Sequence, residues 1–446
     1  MGNIPGFGIG TNVAVLIYRI LIGSDLMANM MFNGCDVVEL ARKHGTPLYV
    51  MDENHIMDRI REIREDFLER HPDTRAVYAS KAFLTKEMAR IVKREGIGMD
   101  VVSGGELYTA LKVDFPMEKI VFHGNNKSQD EIDMAVENGV GRIVIDHIQE
   151  IQMVDRAARE RGTCAKVIFR ISPGIDSHTH KYIMTGQVDS KFGIPLTDET
   201  IKRAMAKIEE AENVELMGFH FHIGSQLMER DTHIMAVDVM FKLMRDLRDQ
   251  YGFVTKELNT GGGYGIEYGH GQKRKPLSYY TDAIVEEVAL NSEEYGLEKP
   301  VITIEPGRWV VGEAGITLYS VGAIKEIPGI RTYMSIDGGM PDNPRPSLYE
   351  AQYKGVIANK VGMERTERVT VAGKCCESGD ILIWDLMVPK VQRGDILAVM
   401  STGAYNYSMS SNYNRIPRPS VVMVRDGVDR VIVKRETLDD LLRNDM

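Results

Sequence analysis

Short apolar runs alternate with longer amphipathic stretches over most of the first 315 residues. Apolar runs of this length between polar or glycine-rich positions are typical of buried strands, and a 3.6-residue period is typical of helices. Strands are predicted at 75–79, 98–102, 120–123, 141–145, 165–170, 216–221, 257–260 and 301–305. Helices are predicted between several of them, at 86–95, 105–113, 199–213 and 231–251.

Strands separated by helices imply parallel pairing, and eight such strands predict a (β/α)₈ barrel of the TIM type. We expect this barrel to span residues 47–315. An open doubly wound sheet is the alternative. That fold usually carries a GxGxxG motif after its first strand, and the motif is missing here.

The pattern changes after about residue 315. Short β-branched runs follow one another, separated by Pro, Gly and Asn, with little helical periodicity. They predict an antiparallel β-sandwich or barrel domain over residues 316–446. Its expected strands are 316–324, 333–336, 368–372, 381–387, 395–400 and 420–425.

An apolar segment at 13–22 does not change this picture. It is too short to span a bilayer, which takes roughly 20 residues, and Arg19 interrupts it. No basic stretch precedes it and no convincing cleavage site follows it, so we do not expect a signal peptide. We expect a buried strand or short helix, or else an N-terminal extension.

Composition excludes some classes of function. The 446 residues carry a net charge of -10, and their basic runs are short, which argues against nucleic-acid binding. The four cysteines form neither a CxxC pair nor a metal-ligand spacing. So few cysteines in a chain this long indicate a reducing compartment, and we expect a cytoplasmic protein.

The candidate functional residues lie directly after the predicted strands. Lys81 follows the first strand, and His222 and Ser225 follow the sixth. Gly261, Gly262 and Gly263 follow the seventh, and the last strand ends in Glu305-Pro-Gly-Arg308. In a barrel, the loops after the strands form the C-terminal rim, where active sites lie. We therefore expect these groups on one rim.

Together these groups fit pyridoxal 5'-phosphate (PLP). Lys81 supplies an amine for a Schiff base. Consecutive glycines let backbone N–H groups approach a phosphate, with further donors from Ser225 and Arg308. Glu305 can keep a pyridine nitrogen protonated, which makes the ring an electron sink. Each motif alone is common, and only their combination points to this cofactor.

Two further features are less specific. His220 and His222 alternate along a strand, so we expect them to point in opposite directions, with one at the barrel mouth. Their spacing is not that of a helical zinc pair and no HExxH motif is present, so we expect no metal. Cys376 and Glu377 lie far from the barrel in sequence. A functional interpretation makes Cys376 a proton donor and Glu377 a residue that binds a substrate ammonium group.

The chain resembles the diaminopimelate decarboxylases, which are PLP enzymes with the alanine racemase-like fold. The resemblance covers about residues 32–442. It is carried by Tyr-Ala-Ser-Lys-Ala at 78–82, Ser-Lys-Phe-Gly at 190–193, residues 218–226, Glu305 to Arg308, Cys-Glu-Ser at 376–378 and Ser-Ser-Asn-Tyr-Asn at 410–414. Lys374, Cys375 and Asn406 depart from the usual pattern, and residues 1–30 match nothing in it.

The resemblance implies that residues 1–46 join the β domain, and that the protein is a homodimer with two shared active sites. It also assigns roles. Lys81 binds PLP covalently, His222 stacks on its ring, and Glu305 meets the ring nitrogen. Ser225, Gly261 to Gly263, Arg308 and Tyr405 surround the phosphate. Cys376, the expected proton donor, and Glu377 come from the partner subunit.

The implied reaction is decarboxylation of meso-2,6-diaminopimelate to L-lysine, the last step of lysine biosynthesis. Arg308, Arg345, Tyr349 and Tyr405 are the expected contacts of the distal substrate end, with Glu377 on its ammonium group. An arginine can grip a carboxylate through two parallel hydrogen bonds. A diamine-forming enzyme would not need Arg345.

Three alternatives stay open. The first is a related decarboxylase of ornithine, arginine or carboxynorspermidine. The second is a racemase, although such enzymes usually place Arg rather than Glu at the ring nitrogen. The third is a catalytically silent homologue that regulates an active enzyme, which loss of Lys81 or Cys376 would signal. Both residues are present.

Overall fold

Eight parallel strands form a closed barrel in the computed structural model, which describes residues 28–174, 189–268 and 273–446. Neighbouring strands pair in chain order, and the last pairs with the first, Ile302 opposite Thr74. The strands are β1 (Thr74–Ala79), β2 (Gly98–Val101), β3 (Ile120–Phe122), β4 (Arg142–Ile145), β5 (Ala165–Ser172), β6 (Val214–His220), β7 (Glu257–Asn259) and β8 (Val301–Ile304). The predicted barrel is confirmed.

Helices surround the barrel and begin and end at residues suited to those positions. The Thr85 hydroxyl accepts a hydrogen bond from the Met88 N–H, and Gly96 ends the same helix in the left-handed conformation. The helices within the described residues are α1 (Val37–His44), α2 (Glu53–Ile63), α3 (Lys86–Glu95), α4 (Gly104–Leu111), α5 (Gln129–Glu137), α6 (Gln149–Glu160), α7 (Asp198–Glu209), α8 (Asp231–Tyr251), α9 (Ser278–Tyr295), α10 (Arg308–Val311), α11 (Arg345–Tyr349) and α12 (Leu438–Leu442). Shorter elements are the π-helix Arg64–Leu68 and the 3₁₀ turns Ser80–Ala82, Met117–Lys119 and Tyr413–Arg415.

The second sheet contains the strand Leu48–Asp52 together with strands from the C-terminal part of the chain. Those strands are β9 (Gly315–Ile327), β10 (Arg331–Ile336), β11 (Gly355–Ile357), β12 (Glu367–Ala372), β13 (Ile381–Val388), β14 (Ile396–Val399), β15 (Ser420–Arg425) and β16 (Val428–Val433). Two-residue strands lie at Met31–Phe32, Cys35–Asp36 and Ile194–Pro195. The expected β domain is confirmed, with two parallel pairings, β10 with β12 and Leu48–Asp52 with β15, among antiparallel ones.

Leu48–Asp52 lies between β9 and β15 in this sheet and not in the barrel. Residues just before it join the same core, since Phe32, Val37 and Leu40 pack with Leu318 and Val422. We propose that the barrel domain begins after Asp52, a few residues later than the expected start at 47. The apolar segment at 13–22 lies outside the described residues.

The two ends of the barrel differ in chemistry. At the N-terminal end, the Glu257 carboxylate bridges Arg75 of β1 and Arg142 of β4. The polar residues of the sequence motifs follow the strands at the other end. Within the described residues, no helix is both long and apolar enough to cross a membrane.

Candidate active site

A cavity of about 390 Å³ opens at the C-terminal rim of the barrel. This volume is in the range of small-molecule sites. Ten of the thirteen predicted site residues line it: Lys81, His222, Ser225, Gly262, Gly263, Glu305, Arg308, Arg345, Tyr349 and Tyr405. Its other polar and aromatic lining groups include Asp100, His123, Arg170, His220 and Trp309.

Lys81 lies in the 3₁₀ turn that follows β1. The turn is fixed through its neighbour Ser80, whose N–H donates to Asp100 Oδ1 at 2.9 Å and whose hydroxyl donates to Glu106 Oε2 at 2.9 Å. Burial, with a smaller contribution from Glu305, raises the pKa of Asp100 well above its usual value. The amine of Lys81 therefore projects from a turn held by two acidic side chains.

Glu305 lies at the end of β8 and accepts three N–H hydrogen bonds. His123 Nε2 and Asn259 Nδ2 each lie 2.7 Å from its Oε1, and His220 Nε2 lies 3.3 Å from its Oε2. Burial alone would raise its pKa, but the two imidazoles hold the pKa well below 4.5. Glu305 is thus a buried carboxylate at the floor of the cavity.

The glycine turn after β7 approaches its neighbours very closely. A Cβ atom at Gly262 would lie 2.1 Å from the Glu305 carbonyl oxygen. Gly261 has φ +66°, in the left-handed region that favours glycine. The Gly262 N–H points to His222 Nδ1 at 3.4 Å. Burial, followed by the charge of Lys81, lowers the pKa of His222 well below 6.5, so its imidazole is neutral.

Two arginines line the cavity, and several phenols surround their guanidinium groups. Arg308 donates to the hydroxyls of Ser225, at 2.9 Å, and Tyr268. Arg345 is buried, donates to the Tyr353 hydroxyl at 2.7 Å, and faces the rings of Tyr268, Tyr349, Tyr353 and Tyr405 at 5.1–6.0 Å. Burial opposes ionisation of Tyr268, yet the two guanidiniums lower its pKa. Arg308 and Arg345 therefore give this part of the cavity positive charge.

Cys376 and Glu377 do not line the cavity of their own chain. They are exposed in the loop between β12 and β13. The Cys376 N–H donates to Asn414 Oδ1 at 2.8 Å, and the Cys375 N–H donates to Asp380 Oδ2 at 2.9 Å. The loop is therefore held in a defined shape even though it faces outward.

The expectation that His220 and His222 point in opposite directions is wrong, since both line the cavity. Strand β6 ends at His220, so the alternation of a strand does not extend to His222. Sequence reasoning also gave no role to His123, Asp100, Asn259 or Tyr268. Their position at or just beyond strand ends was a signal that could have identified the first three.

Comparisons with known proteins agree with this geometry. Residues 54–312 match a family model described as the pyridoxal binding domain of pyridoxal-dependent decarboxylases. Diaminopimelate decarboxylase of Bacillus subtilis is 47% identical over 418 residues, covering 94% of this chain and 95% of that protein. The Staphylococcus aureus enzyme of the same name is 43% identical, covering 93% and 97%.

Solved structures give the same result. Diaminopimelate decarboxylase from M. jannaschii, crystallised in complex with L-lysine, superposes with a TM-score of 0.87 at 36% identity, covering 94% of this chain and 96% of that one. The Helicobacter pylori enzyme, also with L-lysine, gives a TM-score of 0.81 at 31% identity, covering 91% and 98%. The chain therefore belongs to the PLP-dependent decarboxylases, and among them to the diaminopimelate decarboxylase family.

Proposed function

We propose that this chain decarboxylates meso-2,6-diaminopimelate to L-lysine and carbon dioxide, using PLP, as the last step of lysine biosynthesis. The observation that carries the proposal is the polarity of the cavity. The cavity is lined by an amine and a buried carboxylate, Lys81 and Glu305, and by two guanidiniums, Arg308 and Arg345. A substrate with a second amino acid end matches this arrangement.

The residues present fit PLP. Lys81 would bind it covalently, His222 would pack on the ring face as a neutral imidazole, and Glu305 would face the ring nitrogen. The glycine turn, Ser225, Arg308 and Tyr405 would surround the phosphate, where backbone N–H groups and a guanidinium suit a dianion. Bound there, PLP supplies an electron sink for the electrons left when carbon dioxide departs.

Arg345 is proposed to bind the distal carboxylate, with Arg308 and Tyr349 beside it. Its guanidinium is already removed from water by the surrounding phenols, so little further desolvation is needed when a carboxylate binds. A diamine-forming substrate such as ornithine has no carboxylate at this end. Arg345 would then remain a buried charge without its anion, which disfavours that substrate.

We propose that the site is completed by a second copy of the chain. Cys376 of the partner subunit would return the proton to the carbon that lost carbon dioxide, and Glu377 of the partner subunit would bind the distal ammonium group. Two observations support this: both residues are exposed, and neither lines the cavity of its own chain. Burial and Asp380 raise the pKa of the neighbouring Cys375 to about 12, which leaves that thiol a poor proton donor.

Mixing two inactive variants tests the shared site. Lys81→Ala and Cys376→Ala proteins should each be inactive alone. After dissociation and reassociation together, they should regain about a quarter of wild-type activity, since half of the dimers then hold one intact site. No recovery, despite mixed dimers shown by native mass spectrometry, would contradict the assignment.

A substrate panel tests the choice of diaminopimelate. Arg345→Ala should lose turnover of meso-diaminopimelate far more than any residual turnover of ornithine. Arg331→Ala is a matched control, because Arg331 lies over the Trp384 ring in the second sheet and outside the cavity. Equal losses for both substrates would refute the proposal that Arg345 binds the distal carboxylate. They would favour a decarboxylase that accepts several amino acids.

We also propose a cytoplasmic location. All four cysteines are free, although two of them, Cys375 and Cys376, are adjacent in sequence. Thiols in this state suit a reducing compartment. Fractionation of producing cells, with a cytoplasmic marker enzyme as the reference, checks the proposal.

A further inference from the structure

Three buried polar residues that have no assigned role, His123, His220 and Asn259, donate hydrogen bonds to Glu305. Its donors come from the ends of three different strands: His123 follows β3, His220 ends β6 and Asn259 ends β7. All three residues are buried, at 1–5% exposure. Both carboxylate oxygens of Glu305 are engaged, two donors on one and one on the other.

The hydrogen bonds fix the protonation state of His220. Its Nδ1 atom is buried and has no hydrogen-bond partner among the residues that the structure describes. An imidazolium would place an unpaired N–H there, which is costly in a buried site. Burial also lowers the pKa of His220 to about 4. His220 is therefore a neutral ring that donates through Nε2 to Glu305.

Neutral donors have a consequence that a cation would not. A lysine or arginine beside Glu305 would cancel its charge, whereas the N–H groups of the neutral His220 ring and of the Asn259 amide stabilise the anion and leave its net charge in place. Asn259 is fixed as well, since its Oδ1 accepts the Gly261 N–H at 3.0 Å. The carboxylate is thus held in one orientation and remains negative.

We propose that His123 and His220 are positioning residues that hold Glu305 as an oriented anion toward the cofactor ring and thereby keep the ring nitrogen protonated. The inference rests on the proposed function, which places that nitrogen against Glu305. A fixed anion raises the basicity of a nearby pyridine. The electron sink that decarboxylation requires then depends on two histidines that act through Glu305.

Nuclear magnetic resonance of ¹⁵N-labelled PLP bound to the protein reads the protonation of the ring nitrogen directly. The test compares wild type with Phe and Gln at positions 123 and 220. A glutamine can still donate an N–H to Glu305. In the Gln variants the ¹⁵N resonance of PLP should therefore stay near the position of a protonated ring nitrogen. Phenylalanine cannot donate a hydrogen bond, so in the Phe variants the ¹⁵N resonance of PLP should move toward that of an unprotonated pyridine. His55→Gln is a matched control, because His55 contacts Arg59 and lies outside the cavity.

Kinetics and binding provide a second readout. Losing a hydrogen bond to a charged group should lower kcat about tenfold to a hundredfold in the Phe variants, with KM little changed. Titration of the apoprotein gives the dissociation constant for PLP. Its fold increase in the Phe variants should be smaller than the fold decrease in kcat. In the Gln variants, kcat and the dissociation constant for PLP should both lie close to the wild-type values.

Glu305→Gln separates the possible failures. If it moves the ¹⁵N resonance and the Phe variants do not, the role of the histidines is overturned while the placement of Glu305 stands. If Glu305→Gln also leaves the resonance unchanged, both the placement and the inference fail. Should the Phe variants not fold, ¹⁵N-histidine spectra of the wild-type holoenzyme decide: a neutral His220 protonated at Nε2 supports the inference, and an imidazolium overturns it.

Discussion

Lys127→Met should destabilise the barrel strongly, because Lys127 and Glu150 form a buried ion pair. Their side chains are 1% and 0% exposed, and Nζ lies 3.2 Å from Glu150 Oε1. Nζ also donates to the carbonyl oxygens of Gly124, at 2.8 Å, and Val144, at 2.6 Å. Burial lowers the pKa of Lys127, but Glu150 opposes this effect. The methionine is unbranched and only one atom shorter than lysine, and it removes every one of these hydrogen bonds.

The expected loss is about 3–5 kcal/mol, since removing one partner leaves the other charge buried and unpaired. Glu150 would keep only neighbouring donors such as the Asp146 N–H at 2.7 Å. Urea unfolding followed by circular dichroism measures the loss. Lys127→Met combined with Glu150→Gln should recover much of it, because no unpaired charge remains.

The reasoning is refuted if Lys127→Met costs less than about 1 kcal/mol, or if the two substitutions together cost the sum of their separate effects. A functional effect should accompany the loss of stability. Lys127 holds the Gly124 carbonyl, which is adjacent to His123 in the chain. Lys127→Met should therefore also lower kcat, under conditions where the variant is still folded.

Three further predictions follow from single side chains. Gly262→Ala should weaken PLP binding in equilibrium dialysis and cost about 1–3 kcal/mol of stability, because its Cβ would lie 2.1 Å from the Glu305 carbonyl oxygen. Burial raises the pKa of Asp342 from 3.8 to about 7, so its protonated form stabilises the fold fully below 3.8 and this stabilisation is lost as the pH rises through 7. Compared with Asp342→Asn in urea unfolding, wild type should lose stability between about pH 4 and pH 7 and then level off, and parallel curves would contradict this. Asn414→Ala should speed alkylation of Cys376, followed peptide by peptide, because the Cys376 N–H loses its partner at 2.8 Å.

Hydrophobic periodicity predicted the barrel well because its strands are buried and short. The predicted helices 86–95 and 231–251 coincide with α3 and α8, where Thr85, Gly96 and Gly252 mark the ends. The strand Leu48–Asp52 shows the limit. Its apolar run resembles a barrel strand, and only pairing with β9 and β15, far away in the chain, assigns it to the second sheet.

The candidate site was predictable where a residue type has a specific chemistry, such as Lys81 or the glycine turn. It was not predictable where the role depends on partners. His123 and Asn259 follow different strands, and their shared contact with Glu305 exists only when the barrel closes. Tyr268 acquires its position from Arg308 and Arg345, which come from separate domains.

The most direct test of the account incubates the purified protein with PLP and meso-diaminopimelate, and follows carbon dioxide and the amino acid product by mass spectrometry and chiral chromatography. We predict one L-lysine for each carbon dioxide released, with no product from the Lys81→Ala variant. Absence of lysine from the wild-type protein, or release of putrescine from ornithine at a comparable rate, would contradict it.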